Sequence, residues 1–422
     1  MSCLTFIGIF LFNILMMLIL RRNFSIVKMN WLFLFYWVIN ITIGIFFFNT
    51  SVSWKFDGLI VLLFYVDIYV VAYTLVIGTR KSSYNFDLSY WKNRSHIIQI
   101  GLLSCFVAGL MYMVLELVNN GFSLFNLLSI KGFMETGYYF TDGRYGGSTE
   151  IQVTTLEQVC LTINYSGFIL AGYSYRLKLC KKRYCFLQFI PMVLSMMATT
   201  AKTTFISGIF LWICGYLVAM NCYDCQNDKK QKVPVLKLIL IVFAAVALFY
   251  VSFLIRYGIG SSQNIFYRIL MYAFGHVPCY DDWFSKFKTN LFGYSHGQQT
   301  FMLFFGSTKP IELVRVYVTP RLVTNYGWTN VITIFSYVLM DYGYIGATIF
   351  WCIFGMVSAW SVVSLKRNGS AIAHGVTGLS YYIILYSFLV SPMRYLSIVG
   401  AFLLFGLYIF VLLKIRVEPK KC

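Results

Sequence analysis

The residues best suited to chemistry lie in one long segment, from Arg256 to Asn330, which is the longest interruption of a very apolar sequence. It holds seven arginines and lysines, two histidines and three acids, with aromatic residues in the intervals. Arginine forks match phosphate oxygens, and aromatic rings can cover sugar faces, so the segment suits an anionic, sugar-bearing ligand. The alternative is a solvated loop with ordinary surface charges. Its cationic, acidic and histidine residues are Arg256, Arg268, His276, Asp281, Asp282, Lys286, Lys288, His296, Lys309, Glu312, Arg315 and Arg321.

The composition predicts the class of protein that must position these residues. Of 422 residues, 59% are hydrophobic and 12% are charged, whereas soluble domains carry about 25% charged residues. We therefore expect an all-α, polytopic integral membrane protein. The net charge of +19 fits loops that face anionic lipid. Nucleic-acid binding is not expected, because no soluble basic domain is visible.

Eleven apolar runs predict about eleven transmembrane helices. Most have roughly the 17–25 residues that span a bilayer; the run 185–200 is marginal, and the run 330–363 is interrupted by Asp341-Tyr342-Gly343, so it is either one tilted span or a broken pair. We predict one integral membrane domain over 1–422, with a large extracytoplasmic loop at 256–329. The runs are 3–20, 31–48, 57–77, 97–118, 157–175, 185–200, 203–220, 235–255, 330–363, 372–390 and 395–415.

Charge asymmetry predicts the orientation. The first apolar run is followed by Arg21-Arg22 rather than preceded by positive charge, which favours a retained span with its N-terminus outside over a cleaved signal peptide. Eleven spans then put the C-terminus in the cytoplasm. In this layout the inside loops and their flanks carry 22 of the 34 lysines and arginines, and the long segment carries seven of the other 12. The short loops thus obey the positive-inside rule, so the cations of the long segment are not needed to set topology.

Several ionisable residues lie at or near the outer ends of predicted spans. Lys202 lies in a turn between two spans, Arg256 and Arg394 lie at span ends, and Arg144 lies in a second outer loop at about 119–156. The alternative for each of them is that its long side chain only extends its charge to the membrane interface. Because all of these residues lie on the predicted outer side of the membrane, we expect a cationic cavity there for a lipid-linked phosphate or diphosphate. Within the spans themselves, the candidates for a functional charge are Asp67 and Asp341.

Metal and cofactor chemistry find little support in the sequence. The four histidines show no HExxH spacing, and no Walker loop, GxSxG elbow or dinucleotide fingerprint is present. Cys222 and Cys225 form a lone CxxC pair, with no second pair at metal-ligand spacing. We expect neither a bound metal nor a cofactor.

Two short motifs resemble a known family. Thr329-Asn330-Val331-Ile332-Thr333, followed by Asp341-Tyr342-Gly343-Tyr344-Ile345-Gly346, resembles the pattern that follows the large outer loop of Wzy-type oligosaccharide repeat-unit polymerases, which make O-antigen or capsule. The turn Ala201-Lys202-Thr203-Thr204 is similar to a turn of small residues and an arginine in that family, with lysine here in place of arginine. The layout of about eleven spans and one dominant outer loop agrees over nearly the whole chain.

The resemblance implies polymerisation of undecaprenyl-diphosphate-linked repeat units on the outer face of the bacterial cytoplasmic membrane. A sugar hydroxyl of one unit attacks the anomeric carbon of another chain, and undecaprenyl diphosphate leaves; membrane lipids and a chain-length regulator are the implied partners. Cations would stabilise the diphosphate, and an acid or histidine would accept the hydroxyl proton. We expect the diphosphate on Arg256, Arg315, Arg321, Arg394, Lys202 and Arg144. The base candidates are Asp281, Asp282, His276, His296 and Glu312.

Alternatives stay open for the acids and for the function. Asp281-Asp282 equally suits the cap of a loop helix. An O-antigen ligase shares the leaving group and the large outer loop but transfers to a lipid A core. A flippase or other transporter of lipid-linked oligosaccharide needs a polar path through the membrane, and the predicted spans hold few charges.

Overall fold

Helices make up most of the part of the chain that the structure describes. The computed structural model describes residues 2–23, 28–78, 88–144, 150–222, 247, 250–253, 262–288, 295–305, 322–324, 327–329 and 331–414. The helices are α1 (Ser2–Asn23), α2 (Met29–Phe48), α3 (Asp57–Gly78), α4 (Leu88–Lys92), α5 (Ser95–Val118), α6 (Ile130–Arg144), α7 (Thr155–Leu177), α8 (Lys182–Phe186), α9 (Phe189–Thr199), α10 (Lys202–Cys222), α11 (Ser262–Phe274), α12 (His276–Phe287), α13 (Met302–Phe305), α14 (Ile334–Asn368), α15 (Ala371–Tyr386) and α16 (Leu396–Lys414).

Seven of these helices are long and apolar enough to cross a membrane, among the residues that the structure describes. They are α1, α2, α3, α5, α10, α14 and α16. Because an α-helix satisfies its own backbone hydrogen bonds, it suits the lipid interior. The prediction of an all-α, polytopic membrane protein is confirmed.

The remaining predicted spans differ in their outcomes. The run 157–175 is the helix α7, and 372–390 overlaps the 16-residue α15. The run 185–200 contains the end of α8 and then the 11-residue α9; at 1.5 Å per residue α9 is about 16 Å long, too short to cross a bilayer core of about 30 Å. Most of 235–255 lies outside the described residues.

The chain divides into two compact units, and the first consists of Met1–Asn85 and Leu270–Val399. Its core is aromatic: Phe33 of α2 meets Tyr69 of α3 edge-on at 5.0 Å between ring centroids, and Phe335 stacks on Trp351 at 4.7 Å within α14. These large rings fix the packing of α2, α3 and α14 through offset and edge-to-face contacts. A two-stranded antiparallel hairpin, β1 (Leu322–Thr324) and β2 (Gly327–Thr329), precedes α14 and pairs Val323 with Trp328.

The second unit consists of Phe86–Ile269 and Gly400–Cys422. In this unit α7 and α10 pack closely, with Gly172 against the backbone of Trp212 and Gly215 against that of Ile169. A side chain at either glycine would clash with the facing backbone, so both positions require glycine, as in other close helix pairs in membranes. The prediction of a single integral membrane domain stays a prediction.

Candidate functional site

The centre of the candidate site in the first unit is the carboxylate of Asp341, which belongs to the Asp-Tyr-Gly motif and is fully buried. Its Oδ1 accepts a hydrogen bond from the Ser295 hydroxyl at 2.5 Å and from the Gln299 amide at 3.0 Å. Its Oδ2 accepts one from the Thr300 amide at 2.5 Å. Three donors aimed at one carboxylate compensate for its removal from water. Asp341 therefore holds the middle of the long segment against α14.

The sequence around Asp341 explains how a helix presents it. Gly343 lies two residues later with φ 63° and ψ −169°, a conformation inside α14 that is not helical. Only glycine adopts such a conformation at little cost, so the motif breaks the helix directly after Asp341. The predicted interruption of the run 330–363 is thus found at Gly343, within α14.

The turn at residues 295–300, which Asp341 holds, includes two residues with an uncommon backbone conformation. His296 has φ 43° and Gly297 has φ 95°, and left-handed residues other than glycine are uncommon. His296 is exposed, whereas its neighbour Ser295 is buried. The hydrogen bonds to Asp341 on both sides of His296 fix this turn, and strained turns of this kind cluster at functional sites.

A second turn, Ser391–Arg394, also packs on this part of the long segment. The Ser391 hydroxyl donates to the Thr300 carbonyl at 2.7 Å. The Arg394 guanidinium lies 3.3 Å from the Met302 sulfur and 5.0 Å from the ring centre of Tyr337. Among the described residues, Arg394 forms no salt bridge, and it is half-buried. A guanidinium beside an aromatic ring, without a carboxylate partner there, is suited to an anionic ligand.

Asp281 occupies a different place, at the start of α3. Its buried carboxylate accepts hydrogen bonds from the amides of Lys55 at 2.8 Å, Phe56 at 3.0 Å and Gly58 at 3.0 Å. Burial raises the pKa of the Asp281 carboxyl above its usual value, against the lowering effect of these backbone amides. Such contacts satisfy the free N–H groups at a helix N-terminus. They favour the capping alternative for Asp281, on α3 rather than on a helix of the long segment.

The neighbouring charges of α12 are engaged in ion pairs at the surface. Asp282 pairs with Lys286 at 2.6 Å, one helical turn away. Lys288, just beyond α12, pairs with Asp57 at 2.6 Å. Partly exposed pairs of this kind contribute little to stability. Two of the predicted loop cations therefore have acidic partners, and Asp282 lies on the outer face of α12.

His276 lies in an apolar site. It is fully buried, with Trp37 at 5.8 Å and Phe388 at 5.3 Å between ring centroids. Burial lowers the pKa of His276 to about 3, against a smaller raising effect of the Ala273 carbonyl. A buried, neutral imidazole packed between aromatic rings is a poor candidate for accepting the proton of a substrate hydroxyl, since it lies away from solvent.

The other predicted binding residues lie elsewhere or outside the described residues. Lys202 belongs to the second unit, where it begins α10, is buried, and lies 4.0 Å from the ring centre of Phe253. Arg144 is the last residue of α6 in the same unit, and its side chain is not described. The structure brings Arg394 and His296 onto one part of the first unit. Outside the described residues lie Arg256, Glu312, Arg315 and Arg321.

The sequence alone does not identify the polar residues that connect the turn at 295–300 with Asp341 and with the turn Ser391–Arg394. Ser295, Thr300 and Ser391 carry no charge and belong to no motif, so composition gave no reason to select them. One signal was available: Asp341 is a carboxylate within an apolar run, and such a group needs donors from elsewhere in the chain. Nothing local indicated that those donors lie more than 40 residues upstream.

Comparison of the chain with models of known protein families, with curated proteins and with solved structures finds no match.

Proposed function

We propose that the protein is a polymerase that joins undecaprenyl-diphosphate-linked oligosaccharide repeat units into O-antigen or capsular polysaccharide. The observation that carries the proposal is the position of Asp341. This residue belongs to the motif that resembles Wzy-type polymerases, and it accepts three hydrogen bonds from the long segment. The motif, the middle of the long segment and Arg394 thus meet in one part of the first unit.

The proposed reaction uses groups that are available there. A hydroxyl of the acceptor sugar attacks the anomeric carbon of the donor chain, the bond to the diphosphate oxygen breaks, and the hydroxyl proton passes to a base. Arg394 is placed to stabilise the charge that develops on the leaving diphosphate. His296 is the base candidate that is both exposed and on the turn held by Asp341. The diphosphate leaves as a stable anion, so the reaction itself demands no nucleotide.

The remaining assignments belong to the same proposal. The candidates for binding the diphosphate also include Arg256, Arg315 and Arg321 of the long segment, Lys202 and Arg144. Glu312 and Asp282 stay secondary candidates for the base. The proposed site lies on the outer face of the bacterial cytoplasmic membrane, with the N-terminus outside, the C-terminus in the cytoplasm, and a chain-length regulator as protein partner.

Deletion of the gene, followed by electrophoretic analysis of the surface glycan, tests the class of function. A polymerase mutant is expected to cap its acceptor with single repeat units, because flipping and ligation continue. Loss of all capping would instead indicate a ligase or a flippase. Complementation with wild-type protein and with the Lys286→Ala variant, whose ion pair lies at the surface of α12, should restore long chains equally.

A further inference from the structure

Two cysteines of the second unit, neither of which has a part in the proposed polymerase reaction, lie in contact. The sulfur atoms of Cys180 and Cys185 are 3.4 Å apart and share a hydrogen bond. A disulfide bond is about 2.05 Å long, so the sulfurs need to approach by only about 1.4 Å. We propose that Cys180 and Cys185 form a reversible dithiol–disulfide site that reacts with low-molecular-weight disulfides.

The backbone fixes the position of both thiols. At the end of α7 the Leu179 amide donates to the Ser174 carbonyl at 3.0 Å and the Lys178 amide to the Tyr175 carbonyl at 3.3 Å, with Lys178 at φ 54°. This pair of bonds is the Schellman arrangement that ends many helices. Cys180 follows it directly, and Cys185 lies in the next helix, α8. The thiols are therefore held together by ordered turns rather than by chance contact of free side chains.

The two thiols differ in access. Cys180 is partly exposed, whereas Cys185 is fully buried. The hydrogen bond that Cys180 shares with Cys185 lowers the pKa of the Cys180 thiol, against a raising effect of burial. Four exposed cations surround Cys180 in the sequence: Lys178, Lys181, Lys182 and Arg183. A positive environment and partial exposure are the features of reactive cysteines.

The chemistry has two balanced steps. The Cys180 thiolate attacks one sulfur of a small disulfide, forming a mixed disulfide and releasing one small thiolate. The Cys185 sulfur then attacks the Cys180 sulfur, forming the protein disulfide and releasing the second small thiolate. The two protons of the cysteines pass to the two small thiolates. The protein loses two electrons, and the small disulfide gains them.

This dithiol is separate from the polymerase activity, so its test needs no substrate. The full-length protein in detergent is titrated with oxidised glutathione, and free cysteines are counted residue by residue through differential alkylation and mass spectrometry. We expect Cys180 and Cys185 to lose alkylation together, a disulfide-linked peptide to appear, and dithiothreitol to reverse both. Buried Cys160, which serves as the internal control, should stay reduced.

Two variants separate the proposed pair from other thiols. In Cys185→Ser, Cys180 should retain a stable mixed disulfide with glutathione, since the resolving thiol is gone. In the double variant Cys222→Ser/Cys225→Ser, which removes the CxxC pair, the Cys180–Cys185 disulfide should form unchanged. Independent alkylation of Cys180 and Cys185 during the titration, or glutathione retained on Cys180 of the wild-type protein without a linked peptide, would overturn the proposal.

Discussion

Asp341 accepts a hydrogen bond of 2.5 Å from Ser295, a residue 46 positions earlier in the chain. Together with the amides of Gln299 and Thr300, this bond anchors the turn that carries His296. Gly343, two residues after Asp341, interrupts α14. The Asp-Tyr-Gly motif thus supplies both the carboxylate that accepts these hydrogen bonds and the interruption of the helix beside it. In this account the Asp-Tyr-Gly motif is a positioning element for the long segment rather than a proton acceptor.

Asp341→Asn should release the turn at Ser295–Thr300. Both carboxylate oxygens of Asp341 accept hydrogen bonds, whereas asparagine has only one acceptor oxygen. Its NH₂ group would therefore face a hydrogen-bond donor of residues 295–300, and we expect a loss of stability on the order of 3 kcal/mol. Limited proteolysis and hydrogen exchange of residues 295–301, beside thermal unfolding, measure the effect. Asp282→Asn is the control, since its surface pair should change stability by less than about 1 kcal/mol. Equal stability and equal exchange in both variants would argue against the anchor.

Asp281→Asn separates capping from catalysis. If Asp281 caps α3, the variant should lose about 2 kcal/mol of stability because one or more of its three amide donors loses its acceptor. Turnover per folded molecule should then be unchanged. If Asp281 is instead the general base, turnover should fall by about 10²–10⁴ with unaltered thermal unfolding. Polymerisation rates and melting curves of Asp281→Asn, with Asp282→Asn beside it, distinguish the two roles.

Burial of His276 predicts a dependence of stability on pH. The pKa of His276 is about 3 in the folded protein, whereas the ordinary value for histidine, which applies to the unfolded chain, is 6.5. As the pH falls, the unfolded chain therefore binds this proton first. The folded state therefore loses stability as the pH drops below 6.5, by roughly 3 kcal/mol from this residue at pH 4.5.

His276→Phe keeps an aromatic ring beside Trp37 and Phe388 and removes the titration. The difference in unfolding free energy between wild-type and variant, measured from pH 7.5 to pH 4.5, isolates the histidine from all other groups. We expect the wild-type protein to lose stability relative to the variant over this range. Parallel curves for the two proteins would mean that His276 has the same pKa in the folded and unfolded states, which contradicts its burial in an apolar site.

Arg394 should be sensitive to the shape of its side chain as well as to its charge. Lysine keeps the charge but loses the planar fork that matches two phosphate oxygens, so Arg394→Lys should already impair polymerisation. Arg394→Ala should lower kcat by about 10²–10³, the range found when one donor to a developing anion is removed. Lys286→Ala, which removes a surface cation that is ion-paired, should keep normal rates. Normal rates in both Arg394 variants would remove this residue from the site.

The fold class was predictable from the sequence, because hydropathy and length decide whether a helix fits a bilayer. The long apolar runs appear as α1, α2, α3, α5, α10, α14 and α16. The run 185–200 differs, because it contains the end of α8 and the short α9; between these helices, the buried Gln188 donates to the Leu102 carbonyl at 2.6 Å. Average hydropathy does not register such a polar contact.

The candidate site was predictable only in part. The motif identified Asp341 and the charge pattern identified Arg394, but the partners of Asp341 and Asp281 come from segments 41–46 and 223–226 residues away. Local periodicity holds no information about such contacts. The same limit explains why the sequence does not reveal that Asp281 accepts hydrogen bonds from the amides at the start of α3.

The most direct test of the polymerase proposal is reconstitution of the purified protein in liposomes with the lipid-linked repeat unit of its own source. Mass spectrometry of the products should show lipid-linked chains of two and more repeats, with one undecaprenyl diphosphate released for each new linkage, and little of either with Arg394→Ala. Folded wild-type protein that leaves the repeat units single, or that transfers them only to a lipid A core acceptor, would contradict the polymerase assignment.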